Sequence, residues 1–154
     1  MAKFVFQLEG LLRHRKNVEH DRQRAVAVIQ AQMTALEAQL QALDADVQAT
    51  NEDVRKNRLV GTIDLQFLTA HRRYLGATQR RAMEIAERMA GVRIKLDEAR
   101  RHLAEAAKDR KILEKLRERQ EEAWRADLRR QEAAETEEIA SQMTYRKMLS
   151  GEDQ

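Results

Sequence analysis

Asn57-Arg58-Leu59-Val60-Gly61-Thr62 decides the fold, because it is the one strong breaker cluster before Ser150-Gly151 in a chain that otherwise reads as helix. Gly61 supplies a positive φ at little cost, and Thr62 offers a side-chain oxygen to the free N–H groups of a following helix. The spacing predicts a turn at about 58–61, a first helix over about 4–57 and a second over about 62–148.

Outward from that turn, apolar residues recur at steps of three and four on both sides. The first seam runs Phe4, Leu8, Leu11, Val18, Ala25, Ile29, Met33, Leu36, Leu40, Leu43, Val47 and Val54. The second runs Ile63, Phe67, Ala70, Tyr74, Thr78, Ala82, Ile85, Met89, Val92, Leu96, Ala99, Leu103, Ala106 and Leu113. Such a/d spacing marks a coiled coil, and the consecutive four-residue steps at Ala25-Ile29-Met33 and around Thr78 are stutters that locally relax the supercoil. A chain folding back at Gly61 pairs residues whose numbers add to about 121. Leu36 then faces Ile85, Val47 faces Tyr74 and Val54 faces Phe67. Arg15 and Arg22 fall in the seam opposite Ala106 and Ala99, small residues beside which an Arg stem can pack while its head reaches water. The expected fold class is all-α: one antiparallel coiled-coil hairpin over residues 1–154, its second helix longer and ending in a C-terminal overhang.

Composition agrees. The 154 residues include no Pro, no Cys and 5 Gly, with 4% aromatic, 42% hydrophobic and 36% charged residues. The mean hydropathy is -0.75. A chain this poor in turn formers and this rich in charge fits long helices with a narrow apolar stripe. Without Cys there are no disulfides, thiolate metal sites or thiol nucleophiles. Gln7 and Glu9 interrupt any signal-peptide apolar region, and no apolar run approaches the ~18 residues of a membrane span, so no transmembrane segment and a cytoplasmic location are expected. Net charge is 0 over residues 1–57, +6 over 58–113 and -3 over 114–154. Opposite charges are interleaved and stacking aromatics are sparse in the basic third, so no nucleic-acid partner is expected.

The two arms are unequal, roughly 80 Å against roughly 130 Å at ~1.5 Å per residue. About thirty C-terminal residues thus lack a partner within the chain. Glu114 to Glu138 holds 9 acidic and 6 basic residues, many three or four apart, which can hold a helix that has no packed face. Such an overhang implies a partner or an oligomer. A helical pair filled by its own side chains encloses no substrate pocket, so no enzyme activity, catalytic residue or cofactor is expected. His14, His20, His71 and His102 lack metal-ligand spacing and read as solvated helix-face residues. The isolated Gly10, Gly61, Gly76 and Gly91 form no phosphate loop. Gly76 and Gly91 read as tolerated costs of ~1 kcal/mol each, with close approach of a partner as the other reading. Trp124, in the charged overhang beyond the reach of the first helix, is either shielded by Arg stems or an anchor for another protein, and Tyr145 and Met148 could extend that surface. Arg72-Arg73 and Arg80-Arg81 form either a solvated face or a carboxylate-binding one.

Three stretches carry a family resemblance. Lys3-Phe-Val-Phe-Gln-Leu-Glu-Gly-Leu-Leu-Arg-His-Arg15, then Gly61-Thr-Ile-Asp-Leu-Gln-Phe-Leu-Thr-Ala-His-Arg-Arg-Tyr-Leu75, and Leu113-Glu-Lys-Leu-Arg-Glu-Arg-Gln-Glu-Glu-Ala-Trp124 with Glu138-Ile-Ala-Ser-Gln-Met-Thr-Tyr-Arg-Lys147, resemble the FliJ proteins of the flagellar type III export apparatus. The resemblance covers nearly the whole length. It implies an antiparallel coiled coil similar to the γ stalk of rotary ATPases, without enzymatic activity, that associates with the hexameric export ATPase, contacts the cytoplasmic domain of the export gate FlhA and handles chaperones of late substrates. By that analogy the ATPase contact falls on the ends, at Phe4, Phe6, Leu8, Leu116, Arg119 and Trp124. The gate contact falls near the middle, at Gln39, Leu43, Arg73 and Tyr74. The protein would then sit at the cytoplasmic face of the inner membrane. The injectisome counterpart of this stalk, an RNA-gripping coiled-coil arm driven by the +6 third, and a plain coiled-coil scaffold are the other readings.

Overall fold

A computed structural model describes residues 3–151. Two long α-helices, α1 (Glu9–Asp53) and α2 (Leu65–Ser150), pack against each other, and no strand occurs among the described residues. The chain divides into two compact units, one made by residues up to Asn17 together with those from Ala107 on, the other by Val18–Ala106.

The Val18–Ala106 unit contains the turn. Val54–Arg58 widens into one π-helical turn, closed by the Leu59 N–H donating to the Val54 carbonyl at 3.1 Å. Gly61 then takes φ 88, the left-handed region that a side chain makes costly. The helix that follows starts at Leu65 rather than at 62, because Asp64, not Thr62, caps it. The Asp64 carboxylate accepts from the Gln66 and Phe67 N–H groups at 3.0 and 3.2 Å. Two of the four orphan donors of α2 are satisfied by one side chain, the geometry that ranks Asp above Thr as a cap. Asp64→Ala is expected to cost about 1 kcal/mol, read as a lower urea midpoint, while Thr62→Ala stays within about 0.5 kcal/mol of the parent.

Across this unit the two helices run antiparallel, and residues facing one another near the turn add to 122, as Asn51 and His71 do. Met33, Val54, Ile85 and Leu96 are buried along the seam, with Thr78 at the stutter. Each large side chain here contributes about 1.5 to 3 kcal/mol by leaving water. Arg22 and Ala99 border one groove, as their seam positions predict. Ile63, read as the first residue of the second seam, is half exposed in the linker, because α2 has not yet begun there.

The unit at the chain's beginning has a different start from the helix expected at about residue 4. Lys3 to Phe6 is non-helical, Gln7 and Leu8 turn, and α1 begins at Glu9, whose N–H donates to the Phe6 carbonyl at 3.2 Å. Phe6 and Leu12 are the buried pair of this unit, at 5% and 1% exposure. Alternation explains it: Phe4 and Phe6 turn inward while Val5 and Gln7 face water, a period of two that a helix cannot satisfy. Three ion pairs tie the helices together here, Glu9 with Arg117 at 3.5 Å, Arg15 with Asp109 at 3.2 Å and Lys16 with Glu114 at 3.8 Å. All are substantially solvated, so each adds at most about 0.5 kcal/mol, and together they fix register rather than supply stability.

Candidate functional site

Two surfaces stand out, one in each unit. In the first, Phe4 lies on Trp124 with ring centroids 6.0 Å apart and planes tilted by 48°. Trp124 is therefore not beyond the reach of the chain's beginning. An extended segment advances about 3.3 Å per residue against about 1.5 Å in a helix, so Phe4 touches α2 farther along than a helical Phe4 could. Of the residues placed by resemblance at the ATPase contact, Phe4, Leu116 and Trp124 are half-buried, Phe6 is buried, and Leu8 and Arg119 are exposed. The structure brings Phe4 and Trp124 together, leaves Leu8 and Arg119 exposed and buries Phe6.

Beyond Leu128 every described residue of α2 is exposed. Thr136, Ile139, Ala140 and Met143 recur at i, i+3, i+4 and i+7, one face of the helix. The Thr136 and Thr144 hydroxyls donate to the carbonyls of Glu132 and Ala140 at 2.7 and 2.9 Å, which removes their polar demand from that surface. An exposed helix with a continuous apolar stripe is a helix-in-groove ligand by shape.

The second surface is an apolar groove of about 540 Å³ in the Val18–Ala106 unit, lined by Leu40, Leu43 and Val47 of α1 and by Leu75, Thr78 and Ala82 of α2. It opens because the small Thr78 and Ala82 stand where a coiled coil would place larger side chains. Leu43, one of the residues placed by resemblance at the gate contact, lines it. Gln39 is exposed on α1. Arg73 faces a different surface with Leu65, Gln66, Thr69 and Ala70. Tyr74 is stacked on His71 at 6.2 Å, and His71 on Phe67 at 6.4 Å. Arg58 covers the other face of that cluster, 4.5 Å from the Phe67 centroid, and the His71 ring hydrogen-bonds Asn51 across the seam at 3.1 Å. His71 is thus half-buried and engaged, not a solvated helix-face residue. Its position one turn after Phe67 and one turn before Tyr74 was the signal for that role. Leu40, Val47, Leu75 and Ala82 are the groove residues that resemblance did not single out, although the stutter at Thr78 marks their place.

Among the described residues no group of three or more His, Asp or Glu could hold a metal ion, and no helix is long and apolar enough to cross a membrane. With these surfaces defined, comparison with known proteins decides the family. The family model described as Flagellar FliJ protein matches residues 4–149, nearly the whole chain. The chain belongs to the FliJ family. No curated protein and no solved structure gives a match to it. FliJ membership makes this chain a component of the flagellar protein export apparatus, and the match takes in both units, the turn and the exposed part of α2 up to Leu149.

Proposed function

We propose that this FliJ-family chain is a non-enzymatic, stalk-like coiled coil that binds the hexameric export ATPase through its terminal unit and links it to the cytoplasmic domain of FlhA, the export gate, and to chaperones of late substrates. It would work in the cytoplasm, held peripherally at the inner membrane by those partners. One observation carries the reading beyond family membership: the helix after Leu128 is exposed throughout, with Ile139, Met143 and Met148 55–75% exposed. A helix of that length with no packed face, and with a stripe of apolar side chains in water, is completed by a partner's groove. Leu8, Leu116 and Arg119 border the same end, and the Phe4–Trp124 contact holds it in shape. The proposed gate contact is Leu43 in its groove, with Gln39, Tyr74 and, on a different face of the same unit, Arg73.

The test is association with the export ATPase of the same cell, with ATP hydrolysis assayed in parallel. Ile139→Asp/Met143→Asp removes the stripe at positions that touch nothing in the chain. It should weaken binding and ATPase stimulation at least tenfold, with far-UV circular dichroism unchanged. Binding of the double variant at parental affinity would discard the stripe as the contact, and no association of the parent at low salt would discard the ATPase reading itself.

A further inference from the structure

A third surface is separate from both of these and independent of the stalk reading. Arg81, Arg88, Lys95 and His102 recur every seven residues along α2, each directly before a seam residue: Ala82, Met89, Leu96 and Leu103. Seven residues is two helical turns, so the four line one flank of the seam. In a self-sufficient antiparallel pair that flank would be met by carboxylates on the facing helix. Here the facing border of α1 is neutral. A groove of about 460 Å³ opens there, with Arg88, Gly91, Val92 and Lys95 on the α2 side and Ala35 and Leu36, followed by Gln32, on the α1 side. His102 sits 3.8 Å from both Glu98 and Glu105, but Arg81, Arg88 and Lys95 close no ion pair among the described residues. Glu84 and Glu98 stand within a turn of them on α2 and pair with neither Arg88 nor Lys95.

Gly91 lies midway between those two cations. A Cβ built on it would meet nothing within 4 Å. Its φ is not positive. Neither backbone conformation nor internal packing therefore calls for glycine at a helix-interior position where it costs about 1 kcal/mol relative to Ala. Glycine there leaves the floor between Arg88 and Lys95 open.

We infer that this flank is the docking site for an acidic amphipathic helix of a partner protein. Arg88 and Lys95 are about 10 Å apart along the helix at about 1.5 Å per residue. A helix laid beside α2 presents two carboxylates at that interval when they are seven residues apart. The apolar side chain three or four residues after the first carboxylate then lies over Gly91, against Ala35, Leu36 and Val92. The docked helix becomes a third strand of the coiled coil, and its carboxylates supply the charges that α1 omits. A nucleic acid would answer the cations but leave the apolar floor unused, and the groove offers no aromatic for a base to stack on.

The test uses the full chain and two fluorescein-labelled 21-residue helical peptides. One carries Glu at every seventh position with Leu three residues after each; the other carries Lys in place of Glu. The parent should bind the Glu peptide at least tenfold more tightly than the Lys peptide. Arg88→Glu/Lys95→Glu should reverse that order. Gly91→Leu, whose Cβ meets nothing within 4 Å, fills the floor and should weaken the Glu peptide at least fivefold while raising or preserving the melting temperature. Equal affinity of parent and charge-reversed chain for the Glu peptide would overturn the proposal. So would displacement by single-stranded RNA combined with parental affinity in Gly91→Leu, which assigns the flank to polyanions. Sedimentation showing a dimer of the parent that the same substitutions dissociate would give the flank to a second copy instead.

Discussion

Leu12→Ala is expected to destabilise the terminal unit by about 3 kcal/mol, within the range for emptying a buried Leu site. Leu12 is the most buried side chain of the described residues, 1% exposed, in the first turn of α1 directly after the Phe6–Glu9 hydrogen bond. A coiled coil has a single layer of core, so the cavity left by the missing carbons has few neighbours that can collapse into it. Val5→Ala in the same segment is the control. Val5 is 76% exposed, and its replacement should stay within about 0.5 kcal/mol of the parent. Urea unfolding followed by circular dichroism compares the two, and equal midpoints would refute the role assigned to Leu12.

Phe6→Ala should have a comparable cost, about 3 kcal/mol, but a different spatial signature. Phe6 holds a non-helical segment against α2, with no helix of its own to keep it in place once the ring is gone. Loss of the ring should release Lys3 to Leu8 together and uncover Trp124, which Phe4 would no longer shade. Hydrogen exchange should rise across the first turn of α1 and around Trp124 on α2, the Trp emission should move toward longer wavelength, and amides near Ile85 should keep their protection. A uniform rise through both units would show that the segment is not a local unit of stability.

The middle of the seam was legible because period and partner agree, whereas Leu11, Ala25, Ala70 and Tyr74, placed in it by the same spacing, are exposed, and Leu12, Leu68 and Leu75 turn inward instead. Met33, Ile85 and Leu96 are buried where the a/d spacing puts them, and the long second helix with its exposed end follows from the position of Gly61. Three things were less legible, each for a local reason. At the chain's beginning Phe4 and Leu8 fit a heptad, which hides the shorter alternation of Phe4 with Phe6, and the alternation wins because it turns both rings inward, Phe6 buried and Phe4 half-buried. At the second helix start Thr62 and Asp64 are both capping residues, and only the two hydrogen bonds to the Asp64 carboxylate choose between them. Before the turn, the π-helical widening at Val54–Arg58 leaves no mark in composition. Of the site residues taken from resemblance, Leu43 and Trp124 acquired surroundings the residue pattern alone did not contain, the groove opened by Thr78 and Ala82 and the contact with Phe4. Small residues in a seam were the available signal for the groove.

The antiparallel register also sets the order in which contacts become affordable during folding. Asn51 and His71, beside the turn, are 20 residues apart in sequence, whereas Arg15 and Asp109 are 94 apart. The entropy of closing a loop grows with its length, so the aromatic cluster over the turn can form with little chain ordered and each later pair closes only a short additional loop. Zippering outward from Gly61 thus avoids any single long-range search. On that argument Phe4 on Trp124, which closes the longest stretch of chain, is expected to form last and open first.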